Sequence, residues 1–192
     1  MKDRFSVSPG ALILGGLVFY LSTGRTLRLL LCPVLFHELG HLLAVFLSGC
    51  RLTAFRVEIS GLCLCYTGTT APWQDAVIAA AGPLAGAFYA LVVRSLGDDG
   101  ALSAGISLLL TLFNLLPIRP LDGWHITSAL LGGRKATHLS ILAAIVLCAA
   151  GLLGLLHGYG AALLLSGCLL LLSQGNRPDP INSTTRSDRR CE

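Results

Sequence analysis

Charge is what this sequence has least of. Asp, Glu, Lys and Arg together make up 12% of its 192 residues, against 54% hydrophobic ones, a balance that excludes an ordinary soluble domain and puts the chain in a lipid bilayer. The 14 Lys and Arg residues are scattered. Without a basic block there is no nucleic-acid footprint, and no nucleic-acid partner is expected. A disulfide framework is missing too: Cys32, Cys50, Cys63, Cys65, Cys148, Cys168 and Cys191 are odd in number and irregular in spacing, unlike the paired pattern of a stapled domain. Internal repeats, collagen-like periods and sustained heptads are likewise absent.

Long apolar runs are present instead. Crossing a bilayer takes roughly 20 apolar residues, and on that measure the chain reads as an all-α membrane protein of about six transmembrane helices. The runs lie near residues 10–22, 28–49, 75–96, 101–117, 138–157 and 159–173. The first and last are short, and His157, Gly158 and Gly160 separate the last two only weakly, so five spans is the alternative. The first run lacks an Ala-x-Ala site followed by a soluble segment and is expected to stay in the membrane. With the N-terminus inside the cell, Lys2, Arg4, Arg51, Arg56, Arg119, Arg134, Lys135, Arg177, Arg186, Arg189 and Arg190 all fall on the cytoplasmic side. Only Arg25, Arg28 and Arg94 fall outside, as the positive-inside rule requires.

Two stretches are not spans. From Arg51 to Tyr66 the pattern alternates, with Phe55, Val57 and Ile59 on one face and Arg56, Glu58 and Ser60 on the other. This predicts a short membrane-associated β-hairpin between the second and third helices, turning near Ser60-Gly61. Residues 174–192 switch to Gln, Asn, Arg, Pro, Ser and Thr, a composition that predicts a disordered cytoplasmic tail. The organisation expected is thus a polytopic domain over 1–173, its core over 28–125, followed by that tail.

The second run carries ionisable residues where they are expensive, at least about 2.5–3.5 kcal/mol each at a helix centre. His37-Glu38-Leu39-Gly40-His41 is the H-E-x-x-H pattern: imidazoles at i and i+4 share a face and can reach one zinc ion, and the intervening Glu borders the same place. A zinc ion offsets the burial cost by taking two neutral imidazoles and neutralising a carboxylate. Catalytic zinc keeps three protein ligands and one open position, so a third ligand is needed. Asp122, beyond the helix-breaking Pro117 and Pro120, is the candidate, with an irregular backbone turning at Gly123 to aim it. His125 competes for the place. Cys63-x-Cys65 is a weak second metal candidate, and Gly82-x-x-x-Gly86 reads as a close helix-packing face.

With these residues in place, the sequence resembles the site-2 protease family of intramembrane zinc metalloproteases. The resemblance rests on His37-Glu38-Leu39-Gly40-His41, on Ala81-Gly82-Pro83, and on Asn114-x-x-Pro117-x-x-Pro120-Leu121-Asp122-Gly123. The chain looks most like the compact subgroup containing the sporulation protease that cleaves a membrane-tethered sigma-factor precursor. The resemblance implies one zinc per chain on His37, His41 and Asp122, Glu38 as catalytic base, and Asn114 and Pro117 at the substrate. It also implies a zinc metalloendopeptidase cutting within or near transmembrane segments of membrane proteins and releasing a membrane-tethered regulator, with a membrane-bound regulator as a further partner.

A protease of damaged membrane proteins or signal-peptide remnants, and a non-proteolytic zinc-binding scaffold, are the alternatives. The chain is expected to lack PDZ and CBS domains, and Trp124 stands where a second glycine is common in the family. The hairpin, through Val57 and Leu64, offers an edge to which an unwound substrate could add as a strand. A multi-pass protein of a bacterial plasma membrane with both termini cytoplasmic follows. A C-terminal reporter that is active only outside the cytoplasm should therefore stay silent; a signal from it would reverse the topology.

Overall fold

The computed structural model describes residues 5–58, 61–68, 71–158, 161–175 and 190–191. Every predicted apolar run is helical within it: α1 (Pro9–Leu21), α2 (Gly24–Leu47), α3 (Pro72–Val93), α4 (Gly97–Asn114), α6 (Gly133–Leu156) and α7 (Ala162–Gly175). Local chemistry sets several ends. The Thr23 hydroxyl accepts from Thr26 N–H at 3.3 Å to cap α2, and Gly49, with φ +68°, takes the left-handed turn after it, a conformation that costs glycine little. Pro72 opens α3, where a missing N–H does no harm, and the Gln74 side chain accepts from Ala71 N–H at 3.2 Å.

Length separates the helices. Only α2, α3 and α6 are long and apolar enough to cross a membrane among the described residues. The helix α4 spends its first turn on Asp98 and Asp99, and α1 and α7, with 13 and 14 residues, fall short of the roughly 20 a crossing takes. Six full spans are therefore more than the described helices supply by length. One helix was not expected: α5 (Asp122–Leu131) begins at Asp122 itself.

The fold is inside-out for a soluble protein. His37, His41, Asp75, Ser103, Ser107, Thr111 and Ser140 are buried, while Leu35, Phe46, Leu84, Phe88, Leu109 and Val146 face outward, the distribution of a protein solvated by lipid. The helix α3 is the hub and packs against α2, α4 and α5, whereas α6 packs against α5 and α7. Gly40 is where α2 meets α3: a Cβ on it would lie against the Ala81 carbonyl and 2.6 Å from the Ala85 Cβ. Arg25 and Asp99 form an ion pair at the start of α2 and α4, which holds those two helix ends at the same level.

The expected hairpin is present as β2 (Arg51–Glu58) and β3 (Gly61–Thr67), in antiparallel register with Val57 opposite Leu62 and Phe55 opposite Leu64. Of the turn expected near Ser60-Gly61, Ser60 lies outside the described residues and Gly61 opens β3. The two chain ends extend it into a four-stranded sheet in the order β1-β2-β3-β4, with β1 (Phe5–Val7) parallel to β2 and β4 (Arg190–Cys191) antiparallel to β3. The expected helical fold with a β-hairpin is thus present, and the hairpin is part of a small mixed sheet. Of the tail read as disordered, 174–175 finish α7 and 190–191 form β4, and the rest lies outside the described residues.

Cys65 is disulfide-bonded rather than half of a metal pair, and the register places Cys191 opposite it. Cys32, Cys148 and Cys168 are not disulfide-bonded. Because Gly40 sits at the α2–α3 contact, Gly40→Val should destabilise the protein by about 1–3 kcal/mol through overpacking, read as a lower unfolding midpoint in detergent. An unchanged midpoint would mean the two helices can separate at little cost.

Candidate metal centre

His37 and His41 occupy successive turns of α2 and are both buried, their rings 4.9 Å apart and nearly perpendicular. Asp122 reaches them from α5. Its Oδ2 lies 3.1 Å from His37 Nε2 and 3.4 Å from His41 Nε2, and the two Nε2 atoms are 3.3 Å apart. Three atoms bonded to one tetrahedral zinc at 2.0–2.1 Å would stand about 3.3–3.4 Å from each other. The triangle thus already has nearly the dimensions that zinc requires.

The protonation pattern points the same way. His41 Nδ1 is 2.9 Å from the Ile78 carbonyl, so Nδ1 carries the proton and donates it, and a neutral His41 turns the lone pair of Nε2 toward Asp122. That lone pair, the carboxylate and His37 Nε2 converge on one point, a set of electron donors that a cation satisfies. Among the described residues, His37, His41 and Asp122 are the group able to hold a metal ion. His125 is not in that group; it stacks edge-on against Trp124 with centroids 5.0 Å apart.

The sequence aims these side chains by three local devices. Gly82, on α3, leaves the space that the His41 ring fills, since a Cβ there would collide with the imidazole. After Asn114, Pro117 and Pro120 prevent α4 from continuing, and short turns follow, with Ile118 N–H donating to Leu116 O and Leu121 N–H to Ile118 O. Asp122 then begins α5, where a carboxylate meets the positive end of the helix dipole. Gly123 has a different role from the turn predicted for it. It is helical, and its missing side chain admits the Leu115 and Leu116 carbonyls.

Around this centre the other predicted residues take definite places. Glu38 follows His37 on α2, is half-buried, and lies within electrostatic range of His37, His41 and Asp122. Asn114 ends α4 and donates one amide hydrogen to the Leu110 carbonyl at 3.1 Å, and Pro117 is half-buried in the turn that follows. Val57 lies in an interior strand, opposite both Val7 and Leu62, and its carbonyl accepts from Ser8 N–H at 2.8 Å. Leu64 lies on β3, whose outer side is covered by β4 only at Cys65 and Tyr66 among the described residues.

Three groups of supporting interactions escaped the sequence reading. Tyr66, on β3, donates its hydroxyl to Asp75 at 3.3 Å and packs in one cluster with Ile78, Ala44 and Val45. The sheet is thereby fastened to the turn of α3 that orients His41. The Arg119 guanidinium lies 4.1 Å over the Trp124 ring, and Arg119 N–H donates to Ser140 Oγ at 2.9 Å, which ties the proline loop to α6. Along α4, Ser103, Ser107 and Thr111 meet Tyr89, the Gly86 carbonyl and the Pro83 carbonyl of α3. Their i, i+4 spacing on an otherwise apolar helix was the available signal.

Two consequences can be measured. Asp122→Asn should weaken zinc binding in the purified protein, and unchanged metal content would remove Asp122 from the ligand set. Gly82→Ala, which leaves the candidate ligand side chains themselves unchanged, should weaken zinc binding about 10–100-fold because its Cβ would collide with the His41 ring at Nε2 and displace it, and equal affinity would show that the ring does not depend on that space.

The chain is similar to known proteins. The structure resembles a site-2 protease from Methanocaldococcus jannaschii, with a TM-score of 0.62, 21% identity and 91% of each chain covered, a likeness of fold. A candidate zinc metalloprotease of Synechocystis sp. is 31% identical over 116 residues, which are 55% of this chain. The match spans 31% of that relative's own length. The sequence matches the peptidase M50B-like family over residues 11–173. That match takes in both helices that carry His37, His41 and Asp122, and the chain belongs to the peptidase M50B-like family.

Proposed function

We propose that this membrane protein is a zinc metalloendopeptidase that hydrolyses peptide bonds within or beside the transmembrane segments of other membrane proteins. The observation that carries the reading is the convergence of His37 Nε2, His41 Nε2 and Asp122 Oδ2 at separations of 3.1–3.4 Å, with Glu38 beside them on α2. One zinc per chain fits the donor set. When bound there it supplies Lewis-acid chemistry, acidifying water and polarising a carbonyl.

The protein's own groups supply the rest. Glu38 takes the proton of the attacking water and returns it to the departing amine nitrogen, so that peptide C–N cleavage is balanced by one water. His41 is held in its working tautomer by the Ile78 carbonyl. Asn114 keeps one amide hydrogen on Leu110, and its remaining polar capacity, next to the Pro117 turn, suits a substrate backbone. A scaffold that merely bound zinc would have no use for Glu38.

A helical substrate must unwind before it can be cut, because its peptide groups are hydrogen-bonded and shielded. The outer edge of β3 near Leu64 offers main-chain partners to replace those lost. Strand addition on the Val57 side is less favourable, since β1 already pairs there. We assign as the biological consequence the release of a membrane-tethered regulator, such as a sigma-factor precursor or an anti-sigma factor. The setting we assign is a bacterial plasma membrane with both termini cytoplasmic. The basis for both is the family resemblance and the distribution of Lys and Arg.

Glu38→Gln should abolish cleavage while leaving zinc bound. Membranes from cells carrying wild type or Glu38→Gln can be compared for fragments whose new termini map inside or beside transmembrane segments. Such fragments are expected with wild type alone, and equal fragments in both would contradict the reading.

A further inference from the structure

The two histidines of the metal centre are treated differently at their second nitrogens. His41 Nδ1 has the Ile78 carbonyl. His37 Nδ1 is buried and has no hydrogen-bond partner among the described residues. A histidine that gives Nε2 to a metal carries its proton on Nδ1, and a buried N–H without an acceptor is costly, about 1–3 kcal/mol. The surroundings of His37 should therefore contain an acceptor.

They contain a polar notch between α3 and α4, left by the missing side chain of Gly86. From the position a Gly86 Cβ would occupy, Thr111 Oγ1 is 2.7 Å away, Ser107 Oγ 3.5 Å and His37 Nδ1 3.7 Å. Both hydroxyls have already committed their hydrogens: Ser107 donates to the Gly86 carbonyl at 2.8 Å and Thr111 to the Pro83 carbonyl at 3.4 Å. What each can still offer is an oxygen lone pair. Thr111 is buried, with 6% exposure, and so is His37 at 4%, so bulk water does not compete for the donor.

We propose that Thr111 is a positioning residue for the metal ligand His37, with its hydroxyl oxygen receiving the His37 Nδ1–H across the notch over Gly86. Both atoms border that notch, and a side-chain rotation or one bridging water closes the remaining distance. Thr111 thereby fixes the tautomer and plane of His37 as Ile78 fixes those of His41. The two ligands of α2 are then held by opposite partners, a backbone carbonyl of α3 and a side chain of α4. This assignment rests on the reading of His37, His41 and Asp122 as a zinc site.

The test is the zinc dissociation constant of the full-length protein, measured by competition with a chelator. Thr111→Val should weaken zinc about 10-fold, the lower end of the effect seen when such a supporting partner is removed, and Thr111→Ser should restore binding. Ser103→Ala removes another α3–α4 hydrogen bond, that to Tyr89, and controls for loosening of the helix pair. It should leave zinc affinity within about 2-fold.

Equal affinity in Thr111→Val and wild type, or an equal loss in Ser103→Ala, would overturn the assignment alone. A wild-type protein that binds no zinc would remove the underlying reading as well. If Thr111→Val does not fold, wild-type protein labelled with 15N-histidine still decides. The zinc-loaded form should show a slowly exchanging His37 Nδ1 proton with a cross-peak to the Thr111 side chain, and a fast-exchanging proton would contradict the proposal.

Discussion

The close approach of α2 and α3 governs this structure. Gly40 removes the one side chain that would hold the helices apart, and Gly82 removes the one that would keep the His41 ring out of α3. Only at that separation can the Ile78 carbonyl receive the His41 Nδ1 proton. Lipid tails give helices no hydrophobic reason to associate, so small residues and interhelical hydrogen bonds have to do it. The same residues that build the bundle therefore also orient His37 and His41, the candidate metal ligands.

From that contact the remaining parts follow outward. The third candidate ligand comes from a different helix: the proline-containing turn after α4 reverses the chain so that α5 starts with Asp122 facing α2. Tyr66 connects the sheet to α3 through Asp75 and Ile78, so whatever engages the sheet bears on the turn that holds His41. The Ser103, Ser107 and Thr111 series fastens α4 to the opposite side of α3. Among the described residues these buried polar side chains are engaged in helix packing or lie beside the candidate ligands, which is the usual justification for polar groups at membrane depth.

Much of this was legible in the sequence because the relevant signals are strong. His37, Glu38 and His41 are costly residues at helical spacing inside an apolar run, and chemistry leaves few uses for that arrangement. The apolar runs marked the helices, and the alternation from Arg51 to Tyr66 marked the hairpin. Less could be read where tertiary contact decides. The short strands at Phe5–Val7 and Arg190–Cys191 are too brief to show a period, and α5 was concealed because Pro117 and Pro120 suggested irregular backbone that in fact ends one residue before Asp122. Gly123 looked like a turn residue and is a contact residue. Thr111 shares the i, i+4 polar spacing of α4, but its place beside His37 appears only where α3 brings Gly86 against it.

The account depends most directly on one zinc ion shared by His37, His41 and Asp122. Zinc K-edge X-ray absorption on the purified, zinc-loaded protein tests this without reference to substrate. The account predicts nitrogen and oxygen neighbours near 2.0–2.1 Å with the multiple-scattering signature of two imidazoles. Sulfur neighbours near 2.3 Å, which would place the metal on cysteines, or a protein that retains no zinc, would contradict it.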